Sequence, residues 1–185
     1  SASGGNASYA YQWYWSENGT TGWNLIVGAT SAAFNPSTNL TADRWYQREV
    51  SSCGQSDTTA TVKVTVNGAL TPGSIGTAHT VCNNGDPSTL TSTSGAGGGD
   101  ASYVYEWFWS ANGTTGWTAI ASSNSAAYNP PTGLTADRWY QREVSSCGDS
   151  DTTATVKVTV NGALAPGSIG TAHTVCNNGD PSTLT

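Results

Sequence analysis

The chain has 185 residues, only 10% of them charged, with a net charge of −6 and a pI near 4.5. Two Lys and four Arg are too few for the basic stripe that nucleic acid demands, and they make anionic membrane surfaces poor partners. No run approaches the roughly 20 apolar residues of a membrane span, and no basic-plus-apolar leader opens the sequence, so an export signal is expected elsewhere in a longer protein.

A shift of 94 residues superimposes 7–91 on 101–185 with 15 differences in 85 positions, so the chain is an array of one unit. Gly and Pro punctuation sets the expected phase: the back of one unit at 1–72, a whole unit at 73–166 and the front of a third at 167–185. About 94 residues is the size of a small single domain, which folds if its core is dense or stapled.

In chain order, the whole unit opens with "GSIGTAHTV" and "STLTSTS", expected as strands joined by "CNNGDP". "YVYEWFWS" then alternates Tyr103, Tyr105, Trp107 and Trp109 against Val104, Glu106 and Phe108, because strand side chains point to opposite faces in turn. "NGTTG" turns the chain into "WTAIASS", a short strand. "RWYQREVSS" (138–146) is expected to run through a "CGDSD" turn into "TATVKVTV", whose Val156, Val158 and Val160 share one face. No segment carries helical periodicity with caps, and Gly is too frequent for long helices.

Six or seven short strands around a Trp-bearing central one predict an all-β fold of tandem immunoglobulin-like β-sandwiches. With few Leu and Ile, the core must be filled by large rings, and the expected core aromatics are Trp13, Trp15, Trp45, Trp107, Trp109 and Trp139. Tyr14 and Phe108 fall on the opposite strand face. They are either covered by a neighbouring strand or unit, or exposed as platforms that stack against sugar rings.

Catalytic chemistry has no foothold in the pattern. Each unit offers one His (His79, His173), one Lys and two Arg, and neither His stands near a nucleophile motif such as GxSxG. Asp86, Asp100, Asp149 and Asp151 are loop residues without a calcium-loop pattern, so no metal or other cofactor is expected. The cysteines form no CxxC pair, and disulfides in an exported protein are the expected state of Cys53, Cys82, Cys147 and Cys176. Pairing Cys82 with Cys147 inside the unit is the default. The strand order puts these two near opposite poles, so bonds joining successive units are the alternative.

The motifs "GSIGTAHTVCNNGDPSTLT", "YVYEWFWSANGTTGWTAI", "YNPPTGLTADRWYQREVSSCG" and "VKVTV" together resemble the immunoglobulin-like tandem repeats of large cell-surface adhesins from gliding Bacteroidota. The resemblance implies export to the cell surface, filamentous extension and adhesion by part of a much larger chain, and the residue pattern above predicts no enzymatic activity. It also implies O-glycosylation at Asp-Thr-Thr sequences, with Thr58 and Thr152 as the candidate acceptors. The expected partners are identical repeats or subunits arranged head to tail, and surface polysaccharide. A carbohydrate-binding accessory module of a secreted enzyme is the alternative reading of the aromatic ladder.

Overall fold

The computed structural model describes residues 2–184, and every regular element within them is a strand. Two compact units divide the chain: Ser1–Ala69 with Gly98–Asp100, and Leu70–Gly97 with Ala101–Thr185. The first contains β1 (Ala10–Ser16), β2 (Asn24–Leu25), β3 (Arg44–Ser52), β4 (Gln55–Thr58) and β5 (Val62–Val64). The second contains β6 (Ser74–Ile75), β7 (His79–Val81), β8 (Ser92–Ser94), β9 (Val104–Ser110), β10 (Thr118–Ala119), β11 (Arg138–Ser146), β12 (Asp149–Thr152) and β13 (Val156–Val160).

In the second unit a six-stranded sheet runs in the order β10-β9-β11-β13-β7, with β12 also paired to β11. All pairings are antiparallel except β13 with β7, which is parallel. Over this sheet lie the two-stranded β6–β8 ribbon and two loop positions, Tyr128 and Leu134. The segment "GSIGTAHTV" therefore splits: β6 joins β8 in the small sheet, and β7 crosses to the edge of the large one.

Register decides which side chains become core. Pairing of Trp107 with Arg142, Trp109 with Tyr140 and Tyr140 with Val156 puts these residues on one face. Trp107, Tyr140, Val144 and Val158 are fully buried there, and Ile75, Leu90 and Leu134 close over them from the second layer. The Trp107, Tyr128 and Tyr140 rings stack in series at 5.6 and 5.8 Å between centroids. Trp109, Trp13 and Trp15 lie half-buried on the corresponding inner faces.

Trp45 and Trp139, expected in the core, stand on the other face. Trp139 pairs with Ser110 and Lys157, one position out of phase with buried Tyr140, so strand alternation turns its ring outward. Lys157 Nζ sits 4.8 Å from that ring, and Lys63 sits 4.9 Å from Trp45.

The link after β11 also differs from expectation. Only Cys147 and Gly148, both at positive φ (55° and 84°), form the turn, and "DSDT" is already strand β12. Two residues in left-handed conformation match the twist of a tight hairpin. The strand escapes periodicity analysis because both its faces are exposed.

Candidate assembly interface

Arg142 is the most buried charged group in the second unit, at 0% exposure in the middle of β11. Its guanidinium lies over Tyr105 and Trp107, at 4.9 and 5.9 Å from the ring centroids. Nη1 donates to Ser92 Oγ and to the Ala126 carbonyl, both at 2.6 Å, and Nη2 donates to the Pro72 carbonyl at 2.9 Å. Burial pulls its pKa down; both Nη atoms are hydrogen-bonded, whereas Nε is buried without a partner. The Arg142 amide donates to Thr153 Oγ1, and the Thr153 amide to the Arg142 carbonyl, so Thr153 holds this residue of β11 at both its backbone groups.

Two of the three acceptors, Pro72 and Ser92, flank residues 73–91. That segment is tied down along its whole length. Leu90 exchanges two backbone bonds with Tyr128, the Asn84 amide donates to the Leu134 carbonyl, and the Gly133 amide to the Gly85 carbonyl. Its apolar members Ile75 and Leu90 are 6% and 1% exposed.

The first unit presents the same face uncovered. Arg48, at the position of Arg142, touches Tyr11, Trp13 and the Ala32 carbonyl and lines an open cleft of about 840 Å³. Val50, Ser52, Asp57, Thr58 and Thr59 line it as well; the counterparts of Val50, Ser52 and Thr59, namely Val144, Ser146 and Thr153, are buried in the second unit, while Asp151 and Thr152 are exposed. Val62 is 63% exposed where its counterpart Val156 is 7% exposed. Among the described strands, β5 pairs only with β3.

The outer face carries the other candidate residues. Phe108 is half-buried between Ala119 and Gln141 by register, with Glu106 and Glu143 alongside. Tyr14 occupies the same place in the first unit, beside Leu25 and Gln47, and its hydroxyl donates to Glu49 Oε2 at 2.9 Å. That bond to a carboxylate raises the Tyr14 pKa.

All four cysteines are exposed and none is in a disulfide. The pairing of Cys82 with Cys147 is incompatible with this fold. Cys82 follows Val81, which pairs with Val160, and the Val160 amide bonds Asp137 just ahead of β11. Cys147 lies past the far end of β11, a strand of nine residues that spans about 30 Å. A disulfide needs Cα atoms within about 7 Å.

Thr58 and Thr152 are exposed, with amides held by Asp57 Oδ1 and Asp151 Oδ1 at 2.8 Å. In the second unit the first Thr of Asp-Thr-Thr is the accessible one and the next, Thr153, is buried where it bonds the Arg142 backbone, whereas in the first unit both Thr58 and Thr59 are exposed. The Asn112 side chain is occupied within its own turn, accepting from Thr114 and Thr115 amides and donating to Thr115 Oγ1. No cluster of three metal-ligating side chains occurs among the described residues, and no helix among them is long and apolar enough to cross a membrane.

Sequence reasoning missed the role of Arg142. A single Arg in a strand of alternating polarity reads as a solvated position, and only the register opposite Trp107 reveals its burial.

The model of a family described as a domain of unknown function, DUF8696, matches residues 1–68 and again residues 71–162. The chain belongs to that family. No curated protein matches it. The two DUF8696 matches follow one another directly, and each holds one Arg-bearing central strand, β3 or β11.

Proposed function

We propose that this chain is a non-enzymatic structural and adhesive segment of an extracellular cell-surface filament or giant adhesin, built from immunoglobulin-like sandwiches in head-to-tail array. The observation that carries the reading is the tandem occurrence of two compact all-β units of one family in a chain whose repeats differ at 15 of 85 aligned positions. Units of this kind add length by duplication and need no new chemistry.

The immunoglobulin-like assignment is supported by a buried Trp on the central strand and by a first strand that crosses between sheets to pair in parallel with the last. Exposed Thr58 and Thr152 suit the O-glycosylation that the adhesin resemblance implies. The acidic surface suits an exported protein without nucleic-acid partners.

The test is protease shaving of intact native cells followed by peptide mass spectrometry. Peptides from this chain are expected from unbroken cells. Their appearance only after lysis would sink the surface assignment.

A second reading draws on the outer face, where a half-exposed ring stands among amide and carboxylate side chains at Phe108 and at Tyr14. Such a platform suits stacking on a sugar ring. Glycan-array binding that disappears in Phe108→Ala and Tyr14→Ala, with melting unchanged, would favour the carbohydrate-binding module over the adhesive stalk.

A further inference from the structure

The outer face of the second unit's large sheet carries a charge arrangement that its counterpart in the first unit lacks. Glu106 and Glu143 are directly opposed across β9 and β11, and Phe108, two residues along β9 and opposite Gln141, holds its half-buried ring beside them. Strand side chains two apart share a face, so the two carboxylates and the ring stand together. Among the described residues neither carboxylate forms an ion pair or a side-chain hydrogen bond.

Like charges set directly opposite one another cost a sheet stability. The first unit avoids that cost at the same rung, where Gln12 stands opposite Glu49. Gln12 donates through Nε2 to the Trp13 and Ile26 carbonyls, at 3.0 and 2.8 Å, and Glu49 accepts the Tyr14 hydroxyl at 2.9 Å. In the second unit the Ile120 carbonyl, counterpart of that of Ile26, takes the Ser123 hydroxyl instead, and Phe108 has no hydroxyl to give. Two exchanges, Gln12 for Glu106 and Tyr14 for Phe108, thus add one carboxylate and strip the other of its donor.

We propose that the Glu106–Glu143 pair and the Phe108 ring are a binding site for a polysaccharide bearing free amino groups. A sugar ring stacks its apolar face on Phe108, and its ammonium lies between the two carboxylates, which it neutralises through charge-assisted hydrogen bonds. An ammonium close to the ring face also gains cation–π attraction. Gln141 offers an amide donor and acceptor to the sugar hydroxyls. A basic peptide fits less well, because β9 and β11 lie inside the sheet order β10-β9-β11-β13-β7 and cannot take one up by strand addition. The proposal names the sugar class for the stacking platform described above and rests on that reading.

The test is isothermal titration calorimetry of the full chain with chitosan oligosaccharides, whose amines are free, and with chitin oligosaccharides, whose amines are acetylated, at about pH 6, below the usual pKa range of amines. Chitosan is expected to bind at least about tenfold more tightly, with an affinity that falls as salt is raised. Glu106→Gln places the first unit's residue at an exposed position, so melting should hold or rise while binding weakens about tenfold. Phe108→Ala should weaken binding comparably. Asp86→Asn removes the same charge from an exposed site in the turn after β7 and should bind like the wild type, which separates a built site from general attraction of a polycation to a chain of net charge −6. Glu106→Gln binding like the wild type would overturn the proposal, as would oligolysine binding as tightly as chitosan, which would mark the face as a site for basic peptide. Chitin binding as tightly as chitosan would also overturn it but leave the sugar platform standing, whereas binding of neither would remove both.

Discussion

Arg48 and Arg142 stand in the identical strand sequence RWYQREVSS, and truncating each to Ala should have very different consequences. Arg142→Ala removes three charge-assisted hydrogen bonds, to Ser92, Ala126 and Pro72, together with a fully buried side chain. Bonds to charged groups contribute about 1.5–3 kcal/mol each and are not additive, and truncating a large buried side chain to Ala adds a cavity cost, so a loss of about 3–5 kcal/mol is expected as a whole. Against a total of about 5–10 kcal/mol for a unit of this size, that is a large fraction. Arg48→Ala loses one carbonyl contact and the Tyr11 and Trp13 ring contacts of a half-exposed side chain, and about 1–2 kcal/mol is expected. Hydrogen exchange with mass spectrometry, followed through a urea series on the full chain, reads the two units separately. Arg142→Ala should sharply raise exchange in β7, β11 and β13 and leave β1 and β3 unchanged. Equal losses of protection for the two variants, or a loss below about 1 kcal/mol for Arg142→Ala, would refute the claim that residues 72–92 are clamped through this guanidinium.

Gly113→Ala should lower the melting temperature of the second unit by an amount corresponding to about 1–3 kcal/mol, because φ is +74° and an added Cβ would lie 2.4 Å from the Trp139 ring. Asp43 and Asp137 have pKa values lowered chiefly by their bonds to Lys63 and Lys157, at 2.6 and 2.7 Å. Their stabilising contribution is therefore present above the unfolded-state pKa near about 3.9 and is lost as pH falls through the lower folded value. Thermal melts from pH 7 to 2 should show this acid loss reduced in Asp43→Asn/Asp137→Asn. Iodoacetamide should label all four cysteines of the native chain without denaturant, and replacing each with Ser should change stability by no more than about 0.5 kcal/mol in urea melts. A protected Cys82 or Cys147 would show that it is covered or bonded in solution.

The alternation of "YVYEWFWS" was enough to foresee a central strand with Trp107 inside and Phe108 outside, because period-two patterning is a local property of the pleat. Trp139 was misplaced because its phase depends on register with β9 and β13, which nothing local in "DRWYQ" encodes. Strand β12 escaped notice because an edge strand exposed on both faces carries no hydrophobic pattern. Residues 73–91 split between two sheets as β6 and β7, which their local pattern does not encode either.

Where the two repeats differ bears on how such an array divides its labour. The cradle is held constant: RWYQREVSS, the Asp-Thr-Thr that follows and the 19-residue front segment are identical between copies. Inside the stacked rings the one exchange, Phe34 for Tyr128, keeps both ring contacts at 5.7 and 5.9 Å against 5.6 and 5.8 Å. The differences gather instead at 24–30 against 118–124, the edge strand and its loop, and at Gln12, Tyr14 and Glu17 against Glu106, Phe108 and Ala111. One of these removes the Tyr14–Glu49 bond and leaves a bare ring at Phe108 beside two carboxylates. A joint that must fit every neighbour tolerates little change, because a misfit there opens a strand edge to non-specific pairing. An outer edge that contacts only solvent or a ligand has no such constraint, so copy-specific recognition is expected on the β2 and β10 side of each unit.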